Sequence, residues 1–470
     1  MCEVGKPTDN EWREDMRDKI DAALRGSKAD YTEIRLQEGE STTIIYRGKE
    51  LDTASAVIDA GGIVRCLCRG SGWGVATFND CDDLPSKVEQ AYQSAKVVHS
   101  DEPIELAPIP PSADHLSVAL QHDFRGISMA DKKALIDEYN EISIGYSDRI
   151  ADTTAVYADS FTRVVLATSE GTFIEEERPM ITVYIVAMAR QGDNVQTAQE
   201  SLSAQAGFEF VQGRQDLALT AARRAVELLE AETVAGGQYP VVINPQLAGV
   251  FIHEAFGHLS ESDFVYETPK AQEMMVLGRR FGPDFLTVFD NGSIAGLRGT
   301  HKYDDEGTPT GRSDLIKNGI LVGRLHSRET AAKMGERPTG NARATGYRYA
   351  PIVRMTNTAI EGGTTSFDEM IREIRLGVYA CDAYGGQTEL ENFSFSSAYA
   401  YMIRDGQIAE MVKDVILAGN LFNTLMSIDA IGDDFTWSQS GGYCGKGQGG
   451  LPVAFGAPHV RIRNVVVGGR

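Results

Sequence analysis

The chain has 470 residues, with 45 Lys plus Arg against 67 Asp plus Glu, for a formal net charge of −22. Hydrophobic residues make up 42 % and charged residues 24 %, the balance of an ordinary globular protein able to bury a large core without disulfide staples. The acidic surplus, with no basic run, argues against binding nucleic acid or an anionic membrane.

In chain order, Trp12, Met16, Ile20 and Ala23 recur at helical spacing, with Thr8 or Asp9 able to cap the start. Short strands are predicted at Tyr31 to Gln37, Thr42 to Tyr46, Ala56 to Ile58, Ile63 to Cys68 and Val75 to Phe78. A helix follows from about Leu84 to Val98, striped by Leu84, Val88, Ala91 and Ala95. The proline-rich stretch from Asp101 to Ser112 reads as a rigid connector. A helix over Met129 to Ile142 precedes two long extended runs, Thr153 to Ser169 and Thr172 to Ala189, joined by a turn at Ser169-Glu170-Gly171. Another helix, about Gln215 to Leu229, stripes Leu217, Ala221, Ala225 and Leu228, and Ala235-Gly236-Gly237 breaks it. We expect an α+β fold: an N-terminal mixed α/β domain, residues 1–235, then a β-rich C-terminal domain, residues 236–470.

The six cysteines, Cys2, Cys66, Cys68, Cys81, Cys381 and Cys444, have no framework spacing and suit a reducing cytosol. The first 25 residues lack the apolar run of a signal peptide, and no charge-free stretch approaches a membrane span, so a cytoplasmic protein is expected.

The chemistry concentrates after Tyr239. Pro240 to Ile243 is a short apolar strand, and Asn244-Pro245 is a strong helix start, with Asn as cap and Pro in the first turn. The helix buries Leu247, Val250 and Phe251 and runs into His253-Glu-Ala-Phe-Gly-His258. This is H-E-x-x-x-H, one residue longer than the familiar zinc motif. In an α-helix, positions i and i+4 lie about 40° apart, but i and i+5 about 140° apart. The two imidazoles can share a metal only if the helix is distorted. A π-turn of about 4.4 residues brings i+5 to within about 50° of i. Alternatively, Gly257 ends the helix and swings His258 round.

A catalytic zinc takes three protein ligands. Candidates for the third are His301, His326, His459, Cys381, Cys444 and the carboxylates of Asp304-Asp305-Glu306. Cys444 is favoured because it lies in a stretch, Gly441 to Gly450, where six of ten residues are glycine, a poor core segment but one that permits close approach to a bound group. Glu254 is the candidate general base, and Tyr443 or His459 a candidate for stabilising an oxyanion. Against these stand plainer readings: a satisfied buried His pair, an inert Cys444, a solvated turn at Asp304-Asp305-Glu306-Gly307, and Arg343 and Arg354 as surface charges.

Several stretches resemble the TldD/PmbA (TldE) family, and its TldD branch in particular. They are His253 to His258, Arg298-Gly-Thr-His-Lys-Tyr-Asp-Asp-Glu-Gly-Thr-Pro-Thr310, Gly340 to Ala344, Pro351 to Thr358, Gly385-Gly-Gln387, Phe393 to Tyr401 and Gly442-Tyr-Cys-Gly-Lys-Gly-Gln448. The likeness covers roughly residues 236 to 470 and is weaker before. It implies a metallopeptidase whose metal, zinc or alternatively iron, is held by His253, His258 and Cys444, with Glu254 as acid/base. It implies unfolded or extended peptides as substrates, and a homodimer or a heterodimer with a PmbA/TldE-type paralogue. The "modulator of gyrase" label attached to the family fits an indirect effect through peptide processing better than DNA contact by so acidic a chain. The main rival reading is a non-catalytic regulatory or peptide-binding subunit. Leu259-Ser-Glu-Ser-Asp263 departs from the glycine-containing version common in the family, a change expected to affect loop flexibility more than ligation.

Overall fold

The computed structural model describes residues 9–100 and 102–468, with side chains described for all of these except 9–15 and 389. Cys2, Thr8 and the side chain of Trp12 lie outside the described residues. The helices are α1 (Asp9–Arg25), α2 (Leu84–Val97), α3 (Met129–Gly145), α4 (Gln215–Glu230) and α5 (Pro245–Ile252), with shorter ones beyond. The strands of the first half are β1 (Tyr31–Arg47), β2 (Glu50–Cys68), β3 (Gly72–Phe78), β4 (Ala113–Leu116), β5 (Ile150–Thr168), β6 (Phe173–Gln191) and β7 (Asn194–Ala204).

These seven strands form one sheet in the order β3-β2-β1-β5-β6, with β4 and β7 both pairing with β6. Side-chain alternation assigns its faces. Ile34, Leu36, Ile44 and Tyr46 of β1 lie on the same face as Tyr157 and Val165 of β5 and Ile181 to Ala189 of β6 at alternate positions. That face is covered by α1 to α4 through Ile20, Val88, Ala91, Ile136, Ala221 and Leu228. The opposite face carries Glu33, Arg35, Arg65, Glu176 and Arg178. Against it packs the loop that contains Asp305 and Glu306. Arg35 and Arg178 reach Asp305 at 2.7 and 3.1 Å, and Arg65 reaches Glu33 at 2.8 Å and Glu306 at 3.6 Å. The two halves are therefore joined through buried charge, beside an apolar contact of Tyr303 with Leu166 and Ile174.

The second half is β-rich, as its sequence leads one to expect. Leu376–Glu389 pairs with both Gly237–Ile243 and Asn392–Arg404, and the remaining pairings through Val460–Gly468 and Ile416–Asn420 close a circuit of five strands. A second sheet holds, among others, Asn357–Ile360, Gly450–Ala457 and Gly442–Gly445. The helix α5 packs between the two: Phe251 meets Phe393 and Phe395 edge-on, while Gly249 lies against Phe455. Among the described residues no helix is long and apolar enough to cross a membrane.

Three sequence expectations change. The strands anticipated at Tyr31 to Gln37 and Thr42 to Tyr46 are one strand, as are those at Ala56 to Ile58 and Ile63 to Cys68. The glycines between the latter pair are not breaks: a Cβ on Gly61 would strike Tyr347, and one on Gly62 would strike Phe78 and Leu36. The polar strand β7 has no counterpart in the sequence reading. In α5, Val250 is only half-buried, while Ala248 and Ile252 are fully buried beside Leu247 and Phe251.

Candidate metal centre

The site starts from the cap of α5. Asn244 Oδ1 accepts from Leu247 N at 2.9 Å and from Asp382 N at 3.0 Å, which fixes the helix start against the strand Leu376–Glu389. After Ile252 the helix widens. Residues His253–Gly257 form a π-turn, and the His258 N–H donates to the carbonyl five residues back, on His253. A 3₁₀ turn, His258–Ser260, follows. The distortion demanded by the five-residue spacing is thus present as a π-turn. Gly257 does not act by ending the helix, since its φ of −56° and ψ of −50° are ordinary helical values. It acts by being small: a Cβ there would overlap Met355 Sδ.

The π-turn brings the two imidazoles together, ring centroids 5.4 Å apart. Cys444, on the strand Gly442–Gly445, completes the group. Ligating atoms of His253, His258 and Cys444 all lie within 4.8 Å of one another, the one such cluster among the described residues. Cys444 Sγ is 3.4 Å from His258 Nε2. Ligand atoms about 2.0–2.3 Å from a tetrahedral ion stand roughly 3.3–3.8 Å apart, so this pair already has the right separation.

The electrostatics suit a cation. His253 is only 3 % exposed, yet neither ring nitrogen has a hydrogen-bond partner. Such an orphaned pair is costly unless a bound group satisfies it. Burial, helped by His258, Arg354 and Arg343, holds its pKa well below the ordinary value, so its lone pair is available. Burial alone would lower His258 too. Hydrogen bonds to Cys444 and Glu261 outweigh it and push the value up to about 10, so positive charge is favoured at this point. The residues present therefore fit a metal ion.

Two carboxylates flank the pair in contrasting surroundings. Glu254, partly open to solvent, has Oε2 3.7 Å from His258 Nε2, and burial raises its pKa. Glu261 is fully buried, but hydrogen bonds from His258 and Lys446 overcome the burial and keep it ionised. Its Oε2 lies 3.0 Å from His258 Nδ1.

The other ligand candidates lie elsewhere. His326 is engaged by Ser262, Thr330 and Glu336. The Cys381 thiol is pushed up to about 12 by burial. His459 has Nδ1 on Asp434 at 2.5 Å and Nε2 on Tyr379 at 2.9 Å. His301 is buried outside the cluster. Tyr443 is 63 % exposed, its ring under Arg298 at 4.2 Å. Asp304, Asp305 and Glu306 do form a turn, but it is buried at the junction of the halves, not solvated. Arg343 and Arg354 are likewise buried and not surface charges. Arg354 donates to the Cys444 carbonyl, and Arg343 to the Met355 and Pro452 carbonyls. The segment Leu259 to Asp263 does more than set flexibility, because it supplies Glu261 to His258. The signal for Glu261 was a carboxylate three residues after the second His.

A helix whose π-turn presents H-E-x-x-x-H to a strand cysteine belongs to the class of metallopeptidase-like centres. Three profiles from one family match the chain: the PmbA/TldA metallopeptidase domain 1 at 32–95, its central domain at 122–229 and its C-terminal domain at 236–469. The chain belongs to this PmbA/TldD metallopeptidase family. A metalloprotease of Synechocystis is 49 % identical over 445 residues, covering 94 % of this chain and 96 % of its own. A metalloprotease of Methanothermobacter thermautotrophicus is 35 % identical, with the same coverages. A protein of Saccharolobus solfataricus described as a zinc metalloprotease TldD homolog is 33 % identical, covering 61 % of this chain and 64 % of its own. The fold is shared with a Thermotoga maritima protein described as a modulator of DNA gyrase (TM-score 0.78, 20 % identity, 97 % of this chain and 100 % of that one). It is shared too with TldE from Thermococcus kodakarensis (TM-score 0.77, 17 % identity, 97 % and 100 %).

Proposed function

We propose that the chain hydrolyses peptide bonds in unfolded or extended polypeptides, with one metal ion, zinc, held by His253, His258 and Cys444. What carries the reading is the buried, unpartnered imidazole of His253 facing His258 and Cys444 within 4.8 Å. A zinc ion bound there would supply Lewis acidity towards the scissile carbonyl and acidify a water. Glu254 takes the proton of the attacking water and passes it to the leaving amine. Its reach to the edge of the His258 ring and its partial exposure suit that role. Iron would meet the same three donors.

Extended substrates are favoured by a cleft of about 440 Å³ between Gln199–Leu202 of β7 and Ser438–Ser440. Among the described residues the β7 strand pairs with β6 along one edge only, so its other edge offers backbone groups to an added strand, and the Ser203 N–H bond to Gln439 O closes one end. From Ser440 the chain leads directly to Cys444. We assign the platform to residues 1–235 and the chemistry to 236–470. A second copy or a TldE-type paralogue completes the dimer, and the unbridged cysteines Cys66, Cys68, Cys81 and Cys381 suit the cytoplasm.

Metal analysis of the wild type beside His258→Ala, with cleavage of an unstructured peptide by Glu254→Ala, tests this. Metal in the wild type, none in His258→Ala, and a metal-loaded Glu254→Ala with cleavage down by about 10²–10⁴ are expected. Full cleavage by Glu254→Ala removes its role. A wild type without metal or cleavage favours the non-catalytic peptide-binding subunit.

A further inference from the structure

We propose that Glu261 and Lys446 are positioning residues that lock the His-bearing helix to the Cys-bearing loop and set how firmly the site keeps its metal ion. This rests on the ligand set given above.

One carboxylate oxygen makes the connection. Glu261 Oε2 is 3.0 Å from His258 Nδ1 and also 3.0 Å from Lys446 Nζ. Glu261 thus holds the Nδ1 edge of the ring, which leaves the Nε2 edge facing Cys444 Sγ at 3.4 Å. Lys446 lies two residues beyond Cys444, and its ammonium also reaches Asp263 Oδ1 at 2.6 Å and Val353 O at 3.0 Å. The contacts run His258, Glu261, Lys446 and back along the backbone to Cys444, so two ligands from segments 186 residues apart share one anchor.

Each end of this lock is placed differently. Glu261 sits on fixed backbone: Leu325 N donates to Ser260 O at 2.8 Å and Ser262 N to Leu325 O at 3.0 Å. The loop after Cys444 is the turn of a hairpin, with Cys444 opposite Leu451 and Gly445 opposite Gly450, and Gln448 ties its tip to Thr345 and Ala350. Gly447 and Gly449 have φ of +67° and +90°, so the turn between the two strands depends on glycine. Within this turn Lys446 is the side chain that reaches across to Glu261 and Asp263 of the His-bearing segment. Outer groups of this kind typically change metal affinity 10–100-fold when removed.

The test uses the full-length protein loaded with zinc and follows zinc release to a chromogenic chelator, beside urea unfolding of the metal-free protein. Lys446→Met and Glu261→Gln are expected to release zinc about 10–100 times faster than wild type. Lys446→Arg, which can span the same two carboxylates, is expected to stay within about threefold of wild type. With cobalt in place of zinc, Lys446→Met should alter the thiolate-to-metal absorption band. Release at the wild-type rate by both Lys446→Met and Glu261→Gln overturns the proposal, as does Lys446→Arg releasing as fast as Lys446→Met. If Lys446→Met does not fold, the near-isosteric Glu261→Gln decides by the same criterion. A wild type that takes up no zinc sinks this proposal and the ligand set together. A wild type that holds zinc beside variants that release it equally fast sinks this proposal alone.

Discussion

At the level of single residues, Gly257 shows how a short motif combines two demands. The π-turn needs no unusual dihedral angle from it, but Met355 occupies the space where its side chain would begin. Gly257→Ala is therefore expected to destabilise the protein by about 1–3 kcal/mol through overpacking. Urea unfolding should show most of that loss recovered in a Gly257→Ala/Met355→Ala pair relative to Met355→Ala alone. Full stability in the single variant would mean that the contact relaxes freely. The residues that chemistry singles out, His253, Glu254, His258 and Cys444, were readable because few other roles need that donor set. Glu261, Lys446, Arg343 and Arg354 were not. A lone charged residue reads as surface until the fold shows which buried carbonyl or imidazole it faces.

At the level of elements, the five-residue His spacing told more than any propensity. It required a distortion, and geometry left few kinds to choose from. Asn244 was legible for a similar reason, because a cap followed by proline has one physical use. Its second use, holding Asp382 at a φ of +51° in the neighbouring strand, was not. Asn244→Ala removes both, so it should cost about 1–2 kcal/mol, the upper range for a helix cap. Denaturant unfolding measures this, and a cost below about 0.5 kcal/mol would mean that the cap is dispensable. The long strands were under-read because glycine in sequence reads as a break, whereas Gly61 and Gly62 are extended and serve close packing. The edge strand β7 was missed because its polar residues face a cleft instead of a core.

At the level of the whole molecule, the halves meet through ions whose energies depend on one another. Burial would raise the Asp305 pKa, but Arg35 and Arg178 outweigh it and hold it well below the ordinary carboxylate range. Breaking such a buried pair leaves a charge without its partner, so Asp305→Asn should cost about 3–5 kcal/mol at pH 7. The sign of the pH dependence follows. A carboxyl with a depressed folded value contributes fully above its unfolded value near pH 4, and the contribution fades as pH falls towards the folded value. The stability gap between wild type and Asp305→Asn should therefore be constant from about pH 5 to 7 and shrink below about pH 4, as measured by urea titration. A gap independent of pH would show that Asp305 acts by packing and not by charge. Asp304, raised by burial and by the Glu306 charge, has the opposite sign and is common to both proteins, so it cancels in the comparison.

The charged face of the N-terminal sheet also bears on how such a chain is made. During synthesis all the strands and helices of the first sheet leave the ribosome before residues 298–310 do. The face that awaits them is mixed: Glu33, Arg35, Arg65, Glu176 and Arg178 stand among Tyr31, Ile63, Leu67, Leu166 and Ile174. A hydrophobic docking face in the same place would be a sticky nascent intermediate. Here the charges break up the apolar patches of the waiting face, which lowers the tendency of half-made chains to associate.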